Sequence, residues 1–162
     1  ADAFAQPKFS DRQRAYAKAV GSRTIYTPQL IIGGADRIEG FAPEETAERL
    51  RAHLAAGMPV RLSVTREGDV LVIRAEADRP LGAPVRVQLV RFKPEETVLI
   101  ERGENAGRTI TYTNIVTSWE RLEDWSGAAP LDVTAPFAGD LPGAVILQSD
   151  GPAEILAAAR VD

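Results

Sequence analysis

The sequence predicts an α+β chain, in which a helix, two brief strands and a second helix precede an antiparallel β-sandwich. Apolar residues recur at helical spacing in two stretches before residue 57, and after Gly57-Met58-Pro59 the period changes to two. Gly- and Pro-rich turns then divide the alternating part into many short strands. One domain boundary is expected there, giving residues 1–57 and 58–162.

Ser10 with Gln13 has the pattern of a capping box, Ala15, Tyr16, Ala19 and Val20 share a weakly apolar face, and Gly21 stands where a helix stops. The first helix is therefore expected over residues 11–20. The run from Thr24 to Ile32, with Pro28 inside it and Gly33-Gly34 closing it, reads as a buried strand, followed by a short return over residues 35–39. Pro43 at a first helical position, Glu44 and Glu45 in the first turn and Gly57 past the end delimit a second helix, with Ala47, Leu50 and Leu54 along one side. Beyond it, strands are expected over residues 60–65, 70–77, 85–92, 97–102, 108–115, 117–122, 131–134, 144–148 and 154–161. Pro94-Glu95-Glu96 reads as a polar turn, and Ser149-Asp150-Gly151-Pro152 as the tip of a closing hairpin.

Composition narrows the function. With 44% hydrophobic residues the chain can bury a core, and no apolar run approaches the ~18 residues a membrane span needs. A net charge of −4, with Lys8, Lys18 and Lys93 as the lysines, makes a poor polyanion binder, so no nucleic-acid partner is expected. Without cysteine the chain has no disulfide, thiolate metal site or redox thiol pair of its own, and lone His53 makes no multi-histidine site. No cofactor or metal is expected. Neither a Gly-x-Ser-x-Gly elbow nor a Gly-rich phosphate loop with Lys is present. Ala1, with no signal-peptide pattern near it, is read as the start of a cleavage product or a fragment.

The available catalytic material is paired carboxylates: Glu95 with Glu96, Glu101 with Glu104, Glu123 with Asp124. Acid-base work needs two carboxyls in environments that push their pKa values apart, and solvated turns explain these pairs better. No catalytic residue is assigned. Glu104, Asn105, Gly107 and Arg108 form a loop that is either a structural hairpin tip, with Gly107 at positive φ, or a functional segment. Ile110, Tyr112 and Asn114 alternate onto one face. Were that face turned to the core, Asn114 would need partners, which Glu104 or Arg108 could supply, and bracing and ligand binding both stay open. His53 reads as a packing residue near a helix end. Tyr16, Tyr26, Trp119 and Trp125 read as core or rim anchors, with a ligand surface as the alternative.

Three stretches together resemble a known family: Phe9-Ser10-Asp11-Arg12-Gln13-Arg14-Ala15-Tyr16-Ala17, then Tyr26-Thr27-Pro28-Gln29-Leu30, then Arg102-Gly103-Glu104-Asn105-Ala106-Gly107-Arg108 with Thr113-Asn114-Ile115-Val116. In that order they are similar to the C-terminal part of the DUF1223 family of bacterial secreted thioredoxin-like proteins. Leu122-Glu123-Asp124-Trp125-Ser126-Gly127 and the closing hairpin from Ala144 to Arg160 resemble its tail.

The resemblance implies that residues 1–57 are the C-terminal half of a thioredoxin-like domain and residues 58–162 a β-sandwich. It implies a Cys-x-x-Cys pair on a strand-helix-strand unit preceding residue 1, and a periplasmic or secreted location. Thr27-Pro28 matches the place of a groove-shaping cis proline, a simple strand-entry turn being the alternative. Without the preceding unit, Leu30, Ile31 and Ile32 would form an unpaired apolar edge. An N-terminal fragment of the same protein or a second copy is therefore the expected partner, unless residues 1–57 rearrange. The function implied is a binding or structural module without catalysis by this chain alone. One alternative is part of a thiol-disulfide oxidoreductase whose cysteines lie on the missing fragment. Another is an accessory subunit that uses the edge for strand addition.

Overall fold

Pro7 occupies the first turn of helix α1 (Pro7–Ala19), where its missing N–H needs no partner and its fixed φ suits a helix. The helix thus begins before the Ser10-Gln13 pattern, which lies inside it, and Gln6 holds the N-cap without a side-chain capping bond. The computed structural model describes residues 4–162, so the start at Ala1 lies outside the described residues. Strands β1 (Gln29–Ile32) and β2 (Asp36–Glu39) form a hairpin over Gly33-Gly34, and helix α2 (Pro43–Ala56) follows. Ile25 and Tyr26, expected within the first strand, are exposed and precede it.

The hairpin register sorts its side chains. Leu30 pairs with Ile38 and Ile32 with Asp36 on one face, Gln29 with Glu39 and Ile31 with Arg37 on the other. The first face looks toward α2, where His53 Nε2 lies 2.9 Å from Asp36 Oδ2, and it buries Ile32 and Ile38. The apolar side expected of α2 is not covered: Leu50 and Leu54 are exposed, and no residue of that helix is fully buried.

A sandwich makes up the rest. Strands β3 (Val60–Glu67), β4 (Val70–Ala77) and β7 (Leu131–Pro136) form one sheet in the order β3-β4-β7. Strands β5 (Val85–Leu99), β6 (Thr109–Trp125), β8 (Gly143–Ser149) and β9 (Ile155–Val161) form the other in the order β6-β5-β8-β9. With two helices and nine strands in three antiparallel sheets, the described residues are α+β. Leu71, Ile73 and Ala75 of the first sheet meet Val85, Val87, Val145 and Leu147 of the second, and Phe137 is fully enclosed beside them. Trp125 closes one end of this core, its Nε1 donating to the Ala129 carbonyl at 2.8 Å.

Four of the expected strands are two long ones. β5 runs through Pro94-Glu95-Glu96, which is strand and not a turn, and β6 runs through Ile115 and Val116. The pairing passes from Lys93↔Ile115 to Glu95↔Thr113 and skips Pro94 and Asn114. Asn114 takes φ +52° there. A proline without an N–H therefore sits where its partner strand has left the ladder, which is how a strand tolerates it. β8 pairs with β5 only from Val85 to Arg91, so beyond that point β5 and β6 continue as a two-stranded ribbon.

The N-terminal layer is fastened to the outer face of the four-stranded sheet. The Arg12 guanidinium lies 3.7 Å from the centroid of the Trp119 ring on β6 and donates to Gln148 Oε1 on β8 at 2.9 Å and to the Tyr16 hydroxyl at 3.0 Å. Gln148 Nε2 donates to the same hydroxyl at 2.8 Å and to the Ala153 carbonyl at 2.7 Å, while Gln88 on β5 accepts from Trp119 Nε1. The hairpin turn is seated next to this network: Ile155 N–H donates to the Gly33 carbonyl at 2.7 Å. β5 is consequently buried on both sides, Gln88 and Val90 outside as well as Val87 and Leu89 inside.

Gly34 and Gly40 share φ +76°, but a Cβ on Gly34 would come within 2.3 Å of the Ala153 carbonyl oxygen, whereas one on Gly40 meets open space. The conformational cost of alanine at such a φ is about 1–2 kcal/mol at either position. Gly34→Ala should cost at least about 1 kcal/mol more than Gly40→Ala in urea denaturation, because the turn must also lift from the sandwich. Equal losses would mean that the turn is not seated there.

Candidate functional site

An apolar groove of about 490 Å³ opens beside the hairpin, lined by Pro28, Leu30, Phe41, Ala47 and Leu50 among others. The chain reaches it through a cis Thr27–Pro28 peptide, and Gly40 N–H donates to the Pro28 carbonyl at 2.9 Å. Gly40, at positive φ with nothing near it, turns the chain so that Phe41 stands out at 92% exposure. Leu50 on α2 forms the opposite lip, 47% exposed. β1 pairs with β2 alone, so its other edge carries no strand among the described residues. The groove therefore offers apolar surface and, along β1, backbone donors and acceptors.

His53, Asp36, Arg49 and Glu45 form a charged brace beside the groove. His53 Nε2 meets Asp36 Oδ2, Arg49 Nη1 lies 3.7 Å from Asp36 Oδ1, and Arg49 Nη2 lies 3.8 Å from Glu45 Oε1. The imidazole also fills the space over Gly33, where a Cβ would come within 2.3 Å of His53 Cε1. These contacts tie α2 to the turn. Among the described residues no group of three or more His, Asp or Glu could hold a metal.

Glu104, Asn105, Gly107 and Arg108 occupy the tip of the ribbon and are all exposed. Backbone bonds close that tip: Gly107 N–H to the Ile100 carbonyl at 2.7 Å, Ile100 N–H to the Arg108 carbonyl at 2.8 Å, and Arg108 N–H to the Asn105 carbonyl at 3.1 Å. Gly107 takes φ +82°. Asn114 lies six residues of strand from Arg108, roughly 20 Å at ~3.3 Å per residue, and it is exposed. It is thus neither a buried amide nor within reach of Glu104 or Arg108, because the ribbon has left the sandwich before Asn114 is reached. Thr27 and Pro28 lie at the groove, so the residues singled out in sequence fall in separate places.

Sequence reasoning missed Phe41 and Arg37. Phe41 precedes the N-cap Ala42 of α2, where an apolar residue usually packs on the fourth helical residue, and that residue is Thr46. An apolar residue there without its staple partner was a legible sign of an uncovered surface. Arg37 gave no such sign, since its burial depends on α1 folding back over the hairpin.

A solved structure resembles nearly the whole of this arrangement. The crystal structure of a protein from Agrobacterium tumefaciens, a structural-genomics target, superposes with a TM-score of 0.81 at 26% sequence identity, covering 99% of this chain and 72% of that one. No curated protein matches the chain. The model of a family described as a protein of unknown function, DUF1223, matches residues 1–148. The chain therefore belongs to the DUF1223 family.

Proposed function

We propose that this chain is a non-catalytic binding module, in which the sandwich carries a thioredoxin-like half-layer whose groove at Pro28 receives a further polypeptide segment of the same protein. The uncovered groove is the observation that carries the reading: Phe41, Leu50 and Leu30 are exposed together beside a strand edge that has no partner among the described residues. Covering side chains of that size contributes roughly 1.5–3 kcal/mol for each one fully buried, which is ample reason for a segment to settle there. Part of the Agrobacterium chain has no counterpart in this one, since only 72% of it is covered. A segment N-terminal to residue 1 is the proposed occupant. Export to the periplasm belongs to the same proposal, and so does the division into residues 1–57 and 58–162.

The resemblance assigns a Cys-x-x-Cys pair to that segment. Pro28 would then border the thiols, and the assembled protein, not this chain, would carry out thiol-disulfide exchange. A photo-crosslinking amino acid in place of Phe41, in the full-length protein produced in its native host, tests the occupant directly. The reading expects crosslinks to a segment of the same gene product upstream of residue 1. Crosslinks confined to unrelated proteins, or a Phe41 site that captures nothing, would contradict it. Insulin reduction separates the chemistry: the isolated chain should be inactive, and activity from a protein without cysteine would refute the assignment.

A further inference from the structure

Helix α2 lies on the hairpin by its polar side. His53 Nε2 meets Asp36 Oδ2 at 2.9 Å and Arg49 Nη1 lies 3.7 Å from Asp36 Oδ1, and both residues belong to the helical stripe Thr46, Arg49, His53. The hairpin face beneath it carries Ile32 and Ile38, which are buried. The apolar stripe Ala47, Leu50, Leu54 is turned away from them: Leu50 is 47% exposed, Leu54 is 82% exposed, and no residue of the helix is fully buried. Apolar surface left in water is unfavourable, so an amphipathic helix ordinarily packs the other way round. The Asp36 carboxylate, shared between Arg49 and His53, is what holds the observed orientation.

The two stripes are one sequence position apart throughout: Thr46 to Ala47, Arg49 to Leu50, His53 to Leu54. One position is about 100° of helix, since a turn takes 3.6 residues. A roll of that size about the helix axis sets Leu50 and Leu54 where Arg49 and His53 now stand, over the apolar face of the hairpin. The flanks are suited to it. Gly40 and Gly57 stand on either side of the helix, both at positive φ, and a Cβ on either would meet no atom within 4 Å. The same roll withdraws Ala47 and Leu50 from the wall of the groove at Pro28 and brings Glu48 and Arg51 round to that side. An apolar lip is thereby exchanged for a charged one.

We propose that α2 is a two-position switch: the Asp36 brace holds it with the groove at Pro28 open and apolar, and release of the brace lets it roll onto Leu50 and Leu54, which closes the groove. The switch acts on the groove of the proposed function and rests on that reading for its occupant alone. Thiol labelling reads the position of the helix, because the chain has no cysteine of its own and a single one can be placed in it. Leu54→Cys in the braced chain should react with N-ethylmaleimide as an exposed thiol does. Adding Asp36→Asn should slow that reaction at least about tenfold, the mark of a rolled form that outnumbers the braced one by that factor. Glu48→Cys, at a position exposed now and still facing outward after the roll, should keep its rate. Arg49→Ala with His53→Ala, which removes the partners of the carboxylate in place of the carboxylate, should act on Leu54→Cys as Asp36→Asn does. Unchanged or faster labelling of Leu54→Cys in either released chain that remains folded, or equal slowing of Glu48→Cys, would overturn the proposal. The assay contains no occupant, so the switch can fail while Phe41 still crosslinks to an upstream segment, and the reverse.

Discussion

The Arg12 guanidinium, 3.7 Å from the Trp119 ring centroid and hydrogen-bonded to Gln148 and Tyr16, holds helix α1 on the outer face of β6, β5 and β8. Burial pushes its pKa below the ordinary guanidinium value; Tyr16 opposes that shift, and Arg86 adds to it. Among the described residues no carboxylate acts on it, so an aromatic face and neutral oxygens stabilise the charge. A desolvated contact of this kind is worth about 2 kcal/mol, more than an exposed ion pair. Arg suits the place because it can stack and donate at once, which a lysine ammonium does not reproduce. From this fixed point the rest follows: Gln148 orders the β8–β9 turn through Ala153, that turn seats Gly33 and Gly34, and the hairpin is thereby set between α1 and α2.

Two strand edges are treated differently. Past Arg91, the edge of β5 that β8 leaves free carries Pro94, Glu95 and Glu96 among its residues. Proline and charge are the usual guards against unwanted strand pairing. The edge of β1 has no such guard in Leu30, Ile31 and Ile32. A chain that protects one edge and leaves another apolar favours docking at the second. That contrast supports the proposal that a polypeptide segment joins the hairpin side of the molecule.

The sandwich was largely legible in the sequence because burial there follows alternation: Leu71, Ile73 and Ala75 on β4, or Val85, Val87 and Leu89 on β5, announce their face by period alone. The start of α1 was misread because Ser10 and Gln13 imitate a cap, while Pro7 marks the true first turn. Pro94 was misread because its tolerance depends on Asn114, twenty positions away, leaving the ladder. Asn114 was placed on a core face because local alternation carries no information about where the partner sheet ends. Tyr16, Trp119 and Pro28 could be singled out as residues of interest, but Gln148, Arg12 and Arg37 take their meaning from contacts across more than a hundred residues or from burial by another element.

A double-mutant cycle between Arg12→Met and Trp119→Leu, read by urea denaturation, tests the dependence on the α1 anchor most directly. The two losses should fall short of additivity by at least about 1 kcal/mol, as expected of groups in contact that stabilise one another. Hydrogen exchange of either variant should show faster exchange in α1 and the hairpin, with the β4 amides still protected. Strictly additive losses, with α1 as well protected in both variants as in the parent chain, would contradict the account.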